Sequence, residues 1–175
     1  VTATSGGDGQ GASGSGDGRD SAGSDGTSLS AEAAAVVAAN AEFYAAVESA
    51  DLDRVDAIWI APPFADSVTC VHPGWPALRG REEVLRSWAL IMANTAYIQY
   101  FLTDVEVEFA GEVAVVNCTE NILTSVGQAD DAASSALGGG RVVATNVFRR
   151  VGVDWRLWLH HSSPVLAGDD GEAEE

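Results

Sequence analysis

From Tyr97 to Ser163 the chain is built of long segments that alternate apolar with polar residues. Up to Asn94 apolar residues recur mainly at helical spacing. In the later half Val105, Val107 and Phe109 stand against Asp104, Glu106 and Glu108, the period of a strand whose two faces meet different surroundings. In the earlier half Val36, Asn40, Phe43, Tyr44 and Val47 fall on one face of a helix. Helices first and strands afterwards, rather than interleaved, predict an α+β domain. Three N-terminal helices should pack on one face of a curved, mostly antiparallel sheet.

Local signals divide the chain further. Ser30 is placed to cap the first helix, which ends near Ser49, and Asp51 to cap a short second one stopped by Pro62 and Pro63. Residues 66–72 read as a short strand broken by Pro73-Gly74. A third helix from Gly80 to about Asn94 buries Val84, Leu85, Trp88, Ile91 and Met92. Strands follow over 97–109, 113–126, 141–151 and 154–163, with 127–140 a polar, glycine-rich loop.

Composition limits the folded part. Residues 1–28 hold nine glycines and six serines, with no aromatic residue and no Ile or Leu. Such a segment cannot bury enough apolar surface to offset the entropy of ordering, so 1–28 is expected to be a disordered tail. Residues 168–175 carry five acids and are expected to form an acidic disordered tail. The domain is then 29–167, long enough for a substantial core. The net charge of −17, with nine arginines and no lysine, opposes binding to nucleic acid or to anionic membranes. No membrane span and no signal peptide are expected. Cys70 and Cys118 lie in apolar runs without metal-type spacing, which reads as buried free thiols in a cytoplasmic protein.

The order helix–helix–strand–helix followed by long hairpins resembles the nuclear transport factor 2-like (NTF2-like) superfamily and its SnoaL-like members. Three passages carry the resemblance: Phe43-Tyr44 with Asp51-Leu52-Asp53, Val71-His72-Pro73-Gly74 with Gly80-Arg81-Glu82-Glu83-Val84, and Trp155 through Ser163. It implies a cone-shaped fold over nearly all of 29–167, with a pocket at the open end and a homodimer through the outer sheet face. Members include ketosteroid isomerase-like, dehydratase and polyketide cyclase enzymes. Others are assembly domains such as the association domain of calcium/calmodulin-dependent kinase, so fold alone does not fix function. Similarity to that association domain places Glu120, Asn146 and Ser162 among pocket polar groups.

Strand parity supplies a second argument. Glu120 shares a face with Ala114, Val116, Cys118 and Ile122, while Asn146 shares one with Val142, Ala144, Phe148 and Arg150. In the last strand Arg156, Trp158, His160 and Ser162 are expected on one face, with Trp155, Leu157, Leu159 and His161 on the other. A β-bulge in any strand would shift this register. Glu120, in the middle of an apolar strand, is costly unless paired or next to water. It reads either as a structural hydrogen-bonding group or as a pocket acid with a pKa raised by burial. His72 is the candidate partner in an acid–base pair, with Asn146 holding it or polarising a carbonyl. Trp59, Trp75, Trp88, Tyr97, Phe148, Trp158, His160 and Ser162 are the candidate lining, Tyr97 also as an oxyanion donor. His72, His160 and Glu120 do not match a zinc-ligand spacing, so neither a metal nor a cofactor is expected.

Two functions fit these residues. One is a small-molecule pocket performing isomerase-, dehydratase- or cyclase-type proton transfer on an apolar or aromatic carbonyl metabolite. The other is a non-catalytic ligand-binding or homodimeric assembly domain.

Overall fold

The computed structural model describes residues 22–126 and 136–165, with side chains described over 30–125 and 138–165. Most of the expected tails therefore lies outside the described residues, as does 127–135 of the expected loop. Residues 22–28 are the exception and belong to a helix, α1, which spans Ala22–Glu48. Ser30 is thus inside α1 rather than its cap. Adding a turn to a nucleated helix costs little, and the packed part of α1 supplies the nucleus. Helix α2 (Leu52–Ile58) begins where expected, with Asp51 accepting a 3.0 Å hydrogen bond from the Arg54 N–H. Helix α3 spans Arg81–Asn94.

The strands are β1 (Thr69–Val71), β2 (Leu78–Arg79), β3 (Ile98–Ala110), β4 (Val113–Val126), β5 (Ala136–Val151) and β6 (Asp154–Pro164). They form one mixed sheet in the order β2-β1-β6-β5-β4-β3. All neighbours are antiparallel except β1 and β6, which run parallel. Two features escape the sequence. β2 is only two residues long, between Pro76 and Gly80. Gly138, Gly139 and Gly140, expected in a loop, instead pair with Thr124, Leu123 and Ile122. A ladder needs only backbone groups, so a glycine run can extend it.

The helices cover one sheet face. Val36, Phe43 and Val47 of α1, Val55 of α2, and Val84 and Trp88 of α3 pack with Ala114, Val116, Ala144, Phe148 and Leu157. β4 and β5 keep strict parity, burying Ala114, Val116, Cys118 and Glu120, and Val142, Ala144, Asn146 and Phe148. β3 and β6 do not. The β3–β4 register shifts between Thr103 and Glu106, with Asp104 at φ 54°. Val105 is turned out of the face it was expected to share with Val107 and Phe109. The β5–β6 register shifts between Val147 and Phe148, which pair with Leu159 and Leu157. Trp158 is therefore the extra residue of a bulge. The inward set in β6 is Trp155 and Leu157, then His160 and Ser162.

Candidate functional site

Five buried side chains, Asn40, Tyr44, Glu120, Asn146 and His160, belong to one hydrogen-bonded chain that starts on α1. Asn40 and Tyr44 are one helical turn apart and both face the sheet. The Tyr44 hydroxyl donates to Glu120 Oε1 at 2.6 Å. Asn146 Nδ2 donates to the Tyr44 oxygen at 2.9 Å and to Asn40 Oδ1 at 2.8 Å. Both Asn146 amide protons are thereby used, and its Oδ1 takes a 2.6 Å hydrogen bond from His160 Nδ1. That bond fixes the His160 tautomer and puts the lone pair on Nε2, which accepts a long 3.4 Å hydrogen bond from the Ser162 hydroxyl.

His72 follows β1. The Ser87 hydroxyl gives its proton to the Val84 carbonyl, at 2.7 Å. His72 Nε2, 2.9 Å from Ser87 Oγ, must then be the donor, and its lone pair is on Nδ1. The His72 ring meets Trp88 edge-on at 4.7 Å and Trp75 at 5.1 Å.

Burial governs the charge of these groups. It pushes the Glu120 carboxyl up to about 7, although the Tyr44 hydrogen bond acts in the opposite direction. It pushes His72 down to about 4. His160 falls to about 3, mainly through burial, with repulsion from His72 and His161 adding to it. Both imidazoles are neutral near pH 7, while Glu120 is divided between acid and carboxylate. Burial, with the Glu120 charge beside it, keeps Tyr44 a neutral phenol.

A cavity of about 180 Å³ opens against His72, Pro73, Trp75, Trp88, Tyr100, Glu120, Ile122, His160 and Ser162 among other groups. It exceeds the roughly 150 Å³ of a benzene-binding cavity and falls below the ~300 Å³ at which drug-sized pockets begin. Larger grooves of about 730 and 370 Å³ lie elsewhere, along the start of α3 and beside Pro62-Pro63, and neither is lined by Glu120 or a histidine.

Six of the expected site residues therefore share one cavity: His72, Glu120, Trp75, Trp88, His160 and Ser162. Five do not line it. Asn146 holds His160 rather than His72, and its committed amide has no proton to offer a carbonyl. Phe148 and Trp59 are fully buried in the core. Tyr97 is 44 % exposed and bonds Gln99. The β6 bulge turns Trp158 away, so that its indole N–H donates to Ser67 Oγ and Arg149 lies over its ring. Sequence reasoning missed Tyr44, Asn40 and Tyr100. Their signal was present in Asn40, a polar residue on the apolar face of α1 that needs a buried partner.

Tyr44→Phe tests the link to Glu120. A hydrogen bond to a charged group contributes roughly 1.5–3 kcal/mol, so its loss should weaken the acidity of Glu120 about 10- to 100-fold. A carboxyl-labelled NMR titration reads this directly. An unchanged midpoint would mean that the bond does not favour the ionised form.

Comparisons agree with this fold and extent. The SnoaL-like domain model matches residues 36–167. A candidate dehydratase of the NTF2-like family from Streptomyces avermitilis is 51 % identical, with a TM-score of 0.74 over 79 % of this chain and 99 % of that one. A candidate association domain of calcium/calmodulin-dependent protein kinase type II from Thiobacillus denitrificans is 29 % identical, with a TM-score of 0.59 over 74 % and 94 %. The F-box protein SKIP8 of Arabidopsis thaliana is 27 % identical over 135 residues, 77 % of this chain. The chain spans about half (52 %) of that relative's length. The match over 36–167, which includes every residue of the buried polar cluster, makes the chain a member of the SnoaL-like domain family within the NTF2-like superfamily.

Proposed function

We propose that this domain is a cone-shaped small-molecule pocket performing cofactor-free proton transfer of the isomerase or dehydratase kind, with Glu120 as the base. One observation carries the reading: a carboxyl 2 % exposed, one oxygen held by Tyr44, sits on a cavity wall with its pKa raised to about 7. A base with a pKa near the working pH combines availability of the carboxylate with driving force for taking a proton. Glu120 removes the proton next to a carbonyl, and the electron pair moves onto the carbonyl oxygen. The proton then returns to another carbon, which isomerises the substrate, or goes to a departing β-hydroxyl as water, which dehydrates it.

Asn146 and Tyr97 are not placed to steady the oxyanion, whereas Tyr100 is a hydroxyl-bearing residue of the cavity lining. The cavity size favours a small carbonyl compound with one ring or fewer, and Trp75 and Trp88 suit a flat apolar one. The 51 % identical candidate dehydratase supports the dehydratase direction.

The test uses small β-hydroxy ketones and their enones in deuterium oxide, followed by NMR. The wild-type chain is expected to exchange the α-proton or eliminate water faster than buffer, and Glu120→Gln is expected not to. Equal rates for the two proteins would overturn the reading.

A non-catalytic assembly role is favoured by a different observation. Phe101 and Val143 are 52 % and 48 % exposed and alternate with the buried set, which puts them on the outer sheet face. This face suits a homodimer, in line with the 29 % identical association-domain candidate. Two free buried thiols and the absence, among the described residues, of any helix able to cross a membrane fit a cytoplasmic setting.

A further inference from the structure

Two of the residues lining the cavity are imidazoles, His72 and His160, and the fully buried Cys70 thiol lies behind them. β1 and β6 run parallel with Cys70 directly beside His160, and His72, just past the end of β1, brings its ring to 3.6 Å from the Cys70 sulfur. One ligand atom from each of Cys70, His72 and His160 lies within 4.8 Å of the other two. All three residues are buried.

The hydrogen bonds around the rings sharpen this. His160 gives its Nδ1 proton to Asn146, which is itself held by Asn40 and Tyr44. His72 gives its Nε2 proton to Ser87, which is held by the Val84 carbonyl. Each ring therefore has one nitrogen anchored to an oxygen and the other presenting a lone pair, the arrangement by which proteins fix metal-binding histidines. Among the described residues, the contacts of those lone pairs are weak. His72 Nδ1 has Cys70 Sγ at 3.9 Å, a sulfur that lies nearer, at 3.6 Å, to the proton-bearing Nε2, and His160 Nε2 has the Ser162 hydroxyl at 3.4 Å. Two buried acceptors without a good donor are costly unless something else binds them.

We propose that Cys70, His72 and His160 bind one zinc-class divalent ion, with a fourth coordination position open to the cavity. One thiolate and two imidazoles are a borderline donor set that suits zinc and disfavours magnesium or calcium. Tetrahedral bonds of about 2.0–2.3 Å place ligand atoms roughly 3.3–3.6 Å apart, so the side chains need close by only about 1 Å. On binding, the Cys70 S–H bond is replaced by a sulfur–metal bond and one proton leaves to the buffer. The spacing 70, 72, 160 hid this site from sequence reasoning, because Cys70 and His160 meet only through the parallel strand pair. The proposal does not depend on proton transfer by Glu120.

The test is titration of chelator-treated full chain with Co²⁺, then displacement by Zn²⁺. One Co²⁺ per chain is expected, with the visible bands of a four-coordinate site and a thiolate charge-transfer band in the near ultraviolet. Cys70→Ala should abolish the charge-transfer band and weaken binding at least 100-fold, with a folded far-ultraviolet spectrum. Binding by Cys70→Ala equal to wild type would assign the ion to surface carboxylates and overturn the site. Should that variant not fold, alkylation of the wild-type chain decides. Zn²⁺ is expected to slow modification of Cys70 at least tenfold relative to Cys118, and equal protection of both thiols would overturn the proposal. Because these readouts do not involve turnover, a failed metal site and a failed acid–base assignment are told apart.

Discussion

Glu120→Gln is expected to reduce proton-transfer turnover by roughly 10²- to 10⁴-fold and, above neutral pH, to make the domain more stable. The two effects have one cause. Folding raises the Glu120 pKa from 4.5 to about 7, chiefly by burial. Between those values the folded chain holds a proton that the unfolded chain has lost, so stability falls as pH rises through this window and levels off above it. At pH 8 the ionised, buried group costs up to about 3 kcal/mol. Gln keeps the shape, and its oxygen can still accept from Tyr44, but it carries no charge to desolvate. Urea unfolding of both proteins at pH 4 and pH 8 checks this: near-equal stability is expected at pH 4, with the variant ahead at pH 8. His72 and His160, whose pKa values are depressed by folding, act in the opposite direction and weaken both proteins as pH falls below 6.5. The difference between the two proteins isolates Glu120. A variant less stable than wild type at pH 8 would mean that the carboxylate is well solvated or paired.

The second large effect is expected from Phe43→Ala. Phe43 is fully buried and is the hub of the aromatic cluster. Its ring lies 5.0 Å from Tyr44, 6.1 Å from Trp59, 5.2 Å from Trp88 and 5.4 Å from His160. Removing a buried Phe costs about 3–5 kcal/mol, against a total of only about 5–15 kcal/mol for a typical domain. The loss should appear at every pH, unlike that linked to Glu120. It should also loosen His160 and Tyr44, so any activity is expected to fall together with stability. A cost below about 1 kcal/mol, measured by the urea midpoint, would show that the cluster collapses to fill the gap.

The residues that reason well from sequence are those whose environment is local or strictly periodic. Asp51 caps α2 because its carboxylate reaches an N–H three residues on. Glu120 and Asn146 point inward because β4 and β5 pair without interruption over Val113–Val126. What failed depended on events between elements. Nothing in Trp155–Ser163 announces that Trp158 is the extra residue, since a bulge is set by the partner strand. Tyr44 reads as a core aromatic, and only the packing of α1 on β4 shows its hydroxyl meeting a carboxylate 76 residues away. The same holds for Cys70 beside His160.

The two register shifts divide the interior. Beyond them, toward the β3–β4 turn, the inward side chains are Val107, Phe109, Trp155 and Leu157, with Phe109 and Trp155 in ring contact at 5.7 Å. On the other side they are Tyr100, His160 and Ser162, all bordering the cavity. An added residue resets which alternate positions face inward. The densely packed half of the domain and the half bordering the cavity are thus written in separate reading frames along β3 and β6. Residues that border the cavity can change without any compensating change of phase in the half that keeps the domain folded.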